Sequence, residues 1–329
     1  ATSVAIASVA AASAGEAAVS ALTALAVNSY ADYEQLVGGV ETLYKTSADK
    51  VQQYAADAYK TSGMTANEYM ETATSYAAAL VSSLGGDTEQ AAELSNMAVS
   101  DMADNWNKFG SSADSVQAAY NGFAKGQIQL LDNLKLGYGG TKEEMERLLD
   151  DANKLNAAQG KYTDYSIDSF SNIILAIHDI QTEYDITGTT AKEASTTISG
   201  SLSAAKSAWS NLITGVADDN ANFGQLISNF VDSATTAANN IIPRIEVALN
   251  GAAKLIESLV PPIMAELPGL IETVLPQLAQ SAVNIVQTLV TEISANAAQL
   301  IDSAIQIITV LGNGIYQMLP TIAQSALQI

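Results

Sequence analysis

The sequence has no cysteine and a single histidine, His178. Disulfides, thiolate catalysis and cysteine-ligated metals are thereby excluded, and a histidine-based metal site or triad has too few members to assemble. Positive charge is scarce: 14 Lys and Arg stand against 35 Asp and Glu, a net charge of −21. A surface of that sign repels phosphate backbones, so no direct nucleic-acid binding is expected. Proline is missing from the first 242 residues, and charge is missing after Asp302. No stretch alternates apolar and polar residues for long enough to read as a strand. What these absences leave is an all-α chain with no cofactor and no catalytic set; a non-enzyme is expected.

What is present is helix former. Apolar residues make up 48% of the 329 residues, much of it alanine, so one large core does not follow. The chain starts at Ala1 and stops at Ile329 inside a repeat, which reads as an internal piece of a longer protein. Residues 1–39 form an Ala/Val/Leu/Ser run ending in Gly38-Gly39, and read as one long helix that the two glycines break or bend. Its small residues suit close packing against other helices. Its uncharged runs 1–15 and 17–31 leave membrane insertion as the alternative, though each falls short of the ~20 residues a span needs.

Residues 40–240 read as a compact all-α domain of medium helices separated by glycines and opened by Ser, Thr or Asp caps. Val40, Leu43, Tyr44, Val51, Tyr54 and Ala58 recur at helical steps. Thr65 with Glu68, Thr141 with Glu144, and Thr190 with Glu193 have the spacing of capping boxes: a threonine oxygen accepts from the amide three residues on, and a glutamate reaches back to the threonine amide. Asp87 and the Gly110-Ser-Ser segment mark further starts. Gly137, Gly139 and Gly140, before Thr141, offer φ > 0 for a tight turn. A helix is expected from Ser166 through Ile173, Ile174, Ile177 and Ile180. His178 within it is expected to be half-exposed or hydrogen-bonded, and Trp209 to lie in the core. The pairs Glu143-Glu144, Asp150-Asp151 and Asp218-Asp219 are adjacent, so they diverge on a helix and read as solvated faces.

Residues 241–329 are a different material. All six prolines lie here, from Pro243 to Pro320. Ser281-Ala-Val-Asn-Ile, Ser303-Ala-Ile-Gln-Ile and Ser325-Ala-Leu-Gln-Ile recur every 22 residues, about six helical turns. Each Leu-Pro marks an expected helix boundary. Val283, Val286, Val290, Ile293 and Leu300 form one apolar stripe; Ile301, Ile305, Ile308, Ile315, Leu319 and Ile322 form a second. Amide and hydroxyl residues, rather than charges, fill the polar face. Two readings stand: helices bundled in a confined space, or a membrane-active segment whose polar stripe lines a pore.

The segments Tyr33–Lys45 (YEQLVGGVETLYK), Gly63–Met70 (GMTANEYM), Leu84–Glu89 (LGGDTE), Leu131–Met145 (LDNLKLGYGGTKEEM) and Ile186–Glu193 (ITGTTAKE), in that order, resemble the tail tape measure proteins of long-tailed bacteriophages and of prophages in Gram-positive bacteria. The Leu-Pro repeats look like the hydrophobic repeats common downstream in that family. The resemblance implies a long, mostly helical virion protein that lies in several copies inside the tail tube. It implies that the protein sets tail length during assembly and leaves ahead of the DNA at infection. The implied partners are tail tube and tail tip proteins, further copies of the chain and, after ejection, the host envelope; the implied locations are the tail tube lumen and then that envelope. A pore or channel role in genome delivery is the alternative.

Overall fold

In a computed structural model the chain is all-α. The structure describes residues 2–266 and 280–287, and among them there is no strand. Residues 22–245 form one compact unit; residues 1–21 and 246–329 are grouped as a second, of which only part is described. The helices are α1 (Thr2–Tyr44), α2 (Ala48–Thr61), α3 (Ala66–Ser83), α4 (Thr88–Phe109), α5 (Ala113–Phe123), α6 (Lys142–Ala158), α7 (Phe170–Glu183), α8 (Thr189–Thr196), α9 (Ile198–Gly215) and α10 (Phe223–Glu266), with short 3₁₀ segments at Lys45–Ser47 and Ile128–Leu134.

The hub of the compact unit is α4, which packs on α2, α3, α5, α7 and α8. Its sequence explains why. Asp87 accepts from the Gln90 amide at 3.0 Å and so starts the helix, and Gly110 at φ 61 ends it in the left-handed conformation that a glycine adopts without penalty. Between those ends, Ala91, Ala92, Ala98 and Ala103 are fully buried; with only a methyl at each position, neighbouring helices approach closely. The larger buried side chains come mainly from the other elements of the unit: Tyr44, Met70, Tyr76, Leu80, Tyr120, Leu134, Met145, Leu148 and Ile174. Each such side chain contributes roughly 1.5–3 kcal/mol when fully removed from water.

Tyrosine brings a hydroxyl into that core, and each buried hydroxyl needs a partner. The Tyr44 hydroxyl lies 2.9 Å from the Ala73 carbonyl and 2.8 Å from Ser95 Oγ. The Tyr76 hydroxyl shares the same serine at 3.3 Å. Ser95 thus ties α1, α3 and α4 at one buried point. Burial pushes the Tyr44 phenol up to about 12, so the cluster stays neutral at physiological pH.

Several boundaries differ from the sequence expectation. Gly38-Gly39 does not break α1, which runs on to Tyr44. Both glycines keep negative φ, because the following turn is anchored by fully buried Val40 and Tyr44. The break comes at Lys45, with φ 50. α7 starts at Phe170 rather than Ser166, whose hydroxyl instead accepts from the Asp168 amide in a short turn. Within α10 the helix runs on through Pro243, Pro261 and Pro262, where the Leu-Pro and proline-rich region was expected to hold boundaries; the two compact units divide at 245/246. A proline removes one intrahelical hydrogen bond, but just before Pro243 the Asn240 amide group donates to the Ser195 and Thr197 carbonyls at 3.2 and 3.3 Å, which fixes α10 there. Trp209 is not in the core. It is 45% exposed and tilts against Phe230, with ring centroids 5.1 Å apart.

Candidate functional site

Two features of the compact unit and its last helix carry more than packing. The first is the polar end of α4. At helical spacing, Asp101, Asp104 and Asn105 turn a fully buried face toward α7 and α8. Asp101 holds His178 Nδ1 at 3.0 Å, and its backbone carbonyl accepts from Gln181 Nε2 at 3.3 Å. Asn105 Nδ2 donates to Gln181 Oε1 at 3.1 Å and to the Leu134 carbonyl at 2.9 Å. Burial pushes the Asp101 carboxyl up to about 6, even against the pull of His178. The hydrogen bond that His178 Nδ1–H donates to Asp101 in turn raises the imidazole above its ordinary value. Proton and charge are therefore shared by a pair that joins α4 to α7. Among the described residues the hydrogen-bond partner shown for His178 is Asp101.

Asp104 performs a different task. One of its carboxylate oxygens accepts from the Gly188 amide at 2.6 Å and the other from the Thr190 amide at 2.7 Å. It caps α8 from another helix and places a negative charge at the positive end of that helix. Thr190 is therefore no N-cap. It lies inside α8, and its hydroxyl accepts from Asn107 Nδ2 at 2.9 Å. Gly188 is the N-cap, at φ 84. Glu193 closes no capping box. Its backbone carbonyl accepts from the Thr197 amide at 3.0 Å, where α8 ends and Thr197 starts α9 by accepting from the Gly200 amide.

The other boxes differ from each other. At Thr65 both bonds form: the Glu68 amide donates to Thr65 Oγ1 at 3.1 Å, and the Thr65 amide donates to Glu68 Oε2 at 2.8 Å. At Thr141 only half forms. The Glu144 amide donates to Thr141 Oγ1 at 3.3 Å, but the Glu144 carboxylate takes the Gly139 amide at 3.0 Å and Arg147 at 2.6 Å. Arg147 also lies over the Tyr138 ring and donates to the Gly137 carbonyl at 2.8 Å, which turns Glu144 away from the threonine amide. Of the three glycines before Thr141 only Gly137 has positive φ, 85°. Gly140 is required for space: a Cβ there would run into the Gln129 carbonyl.

The second feature is α10. From residue 242 onward its apolar residues fall at alternating steps of three and four: Ile242, Ile245, Leu249, Ala252 and Ile256. This is the seam spacing of a coiled coil. The seam is open to solvent, with Ile242 60%, Ile245 53%, Leu249 67% and Ile256 65% exposed. Val247 and Leu255, off the seam, are 61% and 60% exposed as well. Pro243 lies between the first two seam positions, so helix-breaking propensity and apolar spacing point in opposite directions here. Of the stripe expected further on, Val283 and Val286 are described, on a helical stretch, 47% and 58% exposed. Val290, Ile293, Leu300, Ile301, Ile305, Ile308, Ile315, Leu319 and Ile322 lie outside the described residues. Among the described residues no helix is long and apolar enough to cross a membrane, and no group of three or more His, Cys, Asp or Glu side chains could hold a metal.

No protein-family model, curated protein or solved structure matches the chain.

Proposed function

We propose that the chain is a segment of a phage tail tape measure protein. In this reading it is a structural element that sets tail length during assembly and leaves the tail ahead of the DNA, and it is not an enzyme. The observation that supports this most is α10. It is 44 residues long, about 65 Å at 1.5 Å per residue, and its apolar side chains lie on the seam and off it. Arg244, Glu246, Asn250 and Lys254 keep a polar side on the helix, while an exposed apolar seam is stable only when covered. Two strands would leave Val247 and Leu255 wet, so several copies inside an enclosing wall suit it better. Helical length then translates into distance, while the compact unit of residues 22–245 acts as a globular body on the ruler. Tail tube and tail tip proteins are the partners in this reading. Contact with the host envelope after ejection belongs to residues 303–329, outside the described part.

The test is an in-frame deletion of one 22-residue repeat, residues 281–302, in the phage or prophage that carries the gene. Tails shorter by about 33 Å in electron micrographs are expected, from 1.5 Å of rise per residue removed. Tails of unchanged length would overturn the ruler.

A further inference from the structure

Between the α2–α3 turn and helices α4, α8 and α9 the compact unit encloses a cavity of about 150 Å³. Its floor is Ser62 and Thr190, 3% and 4% exposed. Its mouth is Ser199 and Ser203, both exposed on α9. Trp106 and Asn107 of α4 complete the wall. The cavity is kept open by backbone geometry. Gly63 turns at φ 70, and Ser203 and Ser207 hold its carbonyl at 3.4 and 2.9 Å. At Gly200 a Cβ would meet the Glu193 carbonyl, so α9 can approach α8 this closely only with glycine there.

The wall has a definite chemistry. No charged side chain lines it: Asp104, the nearest carboxylate in sequence to Trp106, is committed to the Gly188 and Thr190 amides. A phosphate would find no cation, and a metal ion no carboxylate. Four hydroxyls, one carboxamide and one indole remain. Asn107 Nδ2 already donates to Thr190, which leaves its Oδ1 as an acceptor; Ser62 and Ser203 already donate to the Ala58 and Gly63 carbonyls, which leaves their oxygens as acceptors, and Ser199 at the mouth can donate or accept. Ligand pockets for drug-sized molecules begin at about 300 Å³, so this one has room for a single small ring.

From these walls we infer that the cavity is a binding site for one neutral, polyhydroxylated ring, a hexopyranose. The sugar hydroxyls meet the serine, threonine and asparagine groups, and its apolar C–H face meets Trp106. The inference stands apart from the tape measure reading and does not depend on it.

Saturation-transfer NMR on the full chain tests it, with glucose, galactose, mannose and N-acetylglucosamine as probes and glucose 6-phosphate as the charged control. Saturable binding of at least one neutral sugar is expected, with the phosphorylated sugar no tighter than glucose. Ser199→Phe at the exposed mouth is expected to plug the cavity and weaken binding at least about tenfold, some 1.4 kcal/mol, with the thermal melt unchanged. Trp106→Ala is expected to weaken it similarly; if that variant fails to fold, Ser199→Phe decides. No saturation by any neutral sugar, tighter binding of the phosphorylated one, or undiminished binding in Ser199→Phe would each overturn the site.

Discussion

α4 and α10 are both long, continuous helices, and they treat their apolar residues in opposite ways. α4 buries every one of Ala91, Ala92, Ala98, Val99, Met102 and Ala103, and spends its few polar interior positions on tying other helices to itself. α10 exposes more than half of each of Ile242, Ile245, Leu249 and Ile256. The difference teaches where stability and association reside. The compact unit is completed from within, by small-residue packing and by carboxylates that cap and pair across helices. α10 leaves its seam open to solvent, and in the tape measure reading proposed above that seam is assigned to other helices with the same spacing.

Substitutions on the two helices sharpen the contrast. Leu148→Ala, on α6 in the closed core and fully buried, is expected to destabilise the compact unit by about 2–5 kcal/mol in urea unfolding. Leu249→Ala on α10 should leave the same transition within about 0.5 kcal/mol while weakening self-association. A large stability loss from Leu249→Ala would erase the distinction.

Asp104→Ala comes next. It leaves the Gly188 and Thr190 amides without their acceptor, and an effect of about 2–4 kcal/mol is expected. Faster hydrogen exchange should be confined to α8 and the start of α9. Exchange that rises evenly over the whole unit would mean that Asp104 is no local cap.

The pH dependence is smaller and has a defined sign. Asp101, at about 6 in the folded chain, and His178, above its ordinary value, both hold protons more tightly folded than unfolded. Stability from such groups is present at low pH and lost as pH rises through the folded values. Asp104, raised by burial, acts in the same direction, while Asp104 and Asp179 both support the charged imidazole. Thermal stability should therefore fall as pH rises from about 4 through about 6, where Asp101 loses its proton, and again above the ordinary imidazole value of about 6.5, where His178 does; His178→Gln should remove the upper part of that slope. An equal slope in the variant would show that other groups set it.

The smallest effect expected is a gain. Lys135 ends the 3₁₀ segment at φ 54, where a side chain is strained and glycine is not. Lys135→Gly should add about 0.5–1 kcal/mol, less whatever its bond to the Phe109 carbonyl at 3.3 Å contributes. A loss would show that this bond outweighs the strain.

The features legible in the sequence are those whose two partners lie within a turn of each other. Thr65 with Glu68, and Asp87 with Gln90, are three residues apart, so spacing alone reveals the cap. The cap on α8 comes from Asp104, 86 residues before Thr190, and no local pattern announces it; the Thr190-Ala-Lys-Glu sequence even offers a false one. The Asp101–His178 pair spans 77 residues and was hidden for the same reason. Gly38-Gly39 and Pro243 misled in the opposite sense. Both are helix breakers by propensity, and both were overruled by tertiary anchors, Val40 with Tyr44 and Asn240 with the α8–α9 junction. Propensity is a weak prior once an element is packed. The α10 heptad is a local pattern and is legible in the sequence, with Pro243 as the residue in it whose propensity most opposes a helix.

The most direct test of the contrast between a closed body and an open helix is sedimentation equilibrium of the full chain beside the double variant Ile245→Glu, Leu249→Glu. A discrete oligomer of more than two copies is expected for the chain, and a monomer with the same helical circular dichroism for the variant. A chain that is already monomeric, or a variant that keeps the oligomer, would contradict the assignment of α10 as the surface that other copies cover.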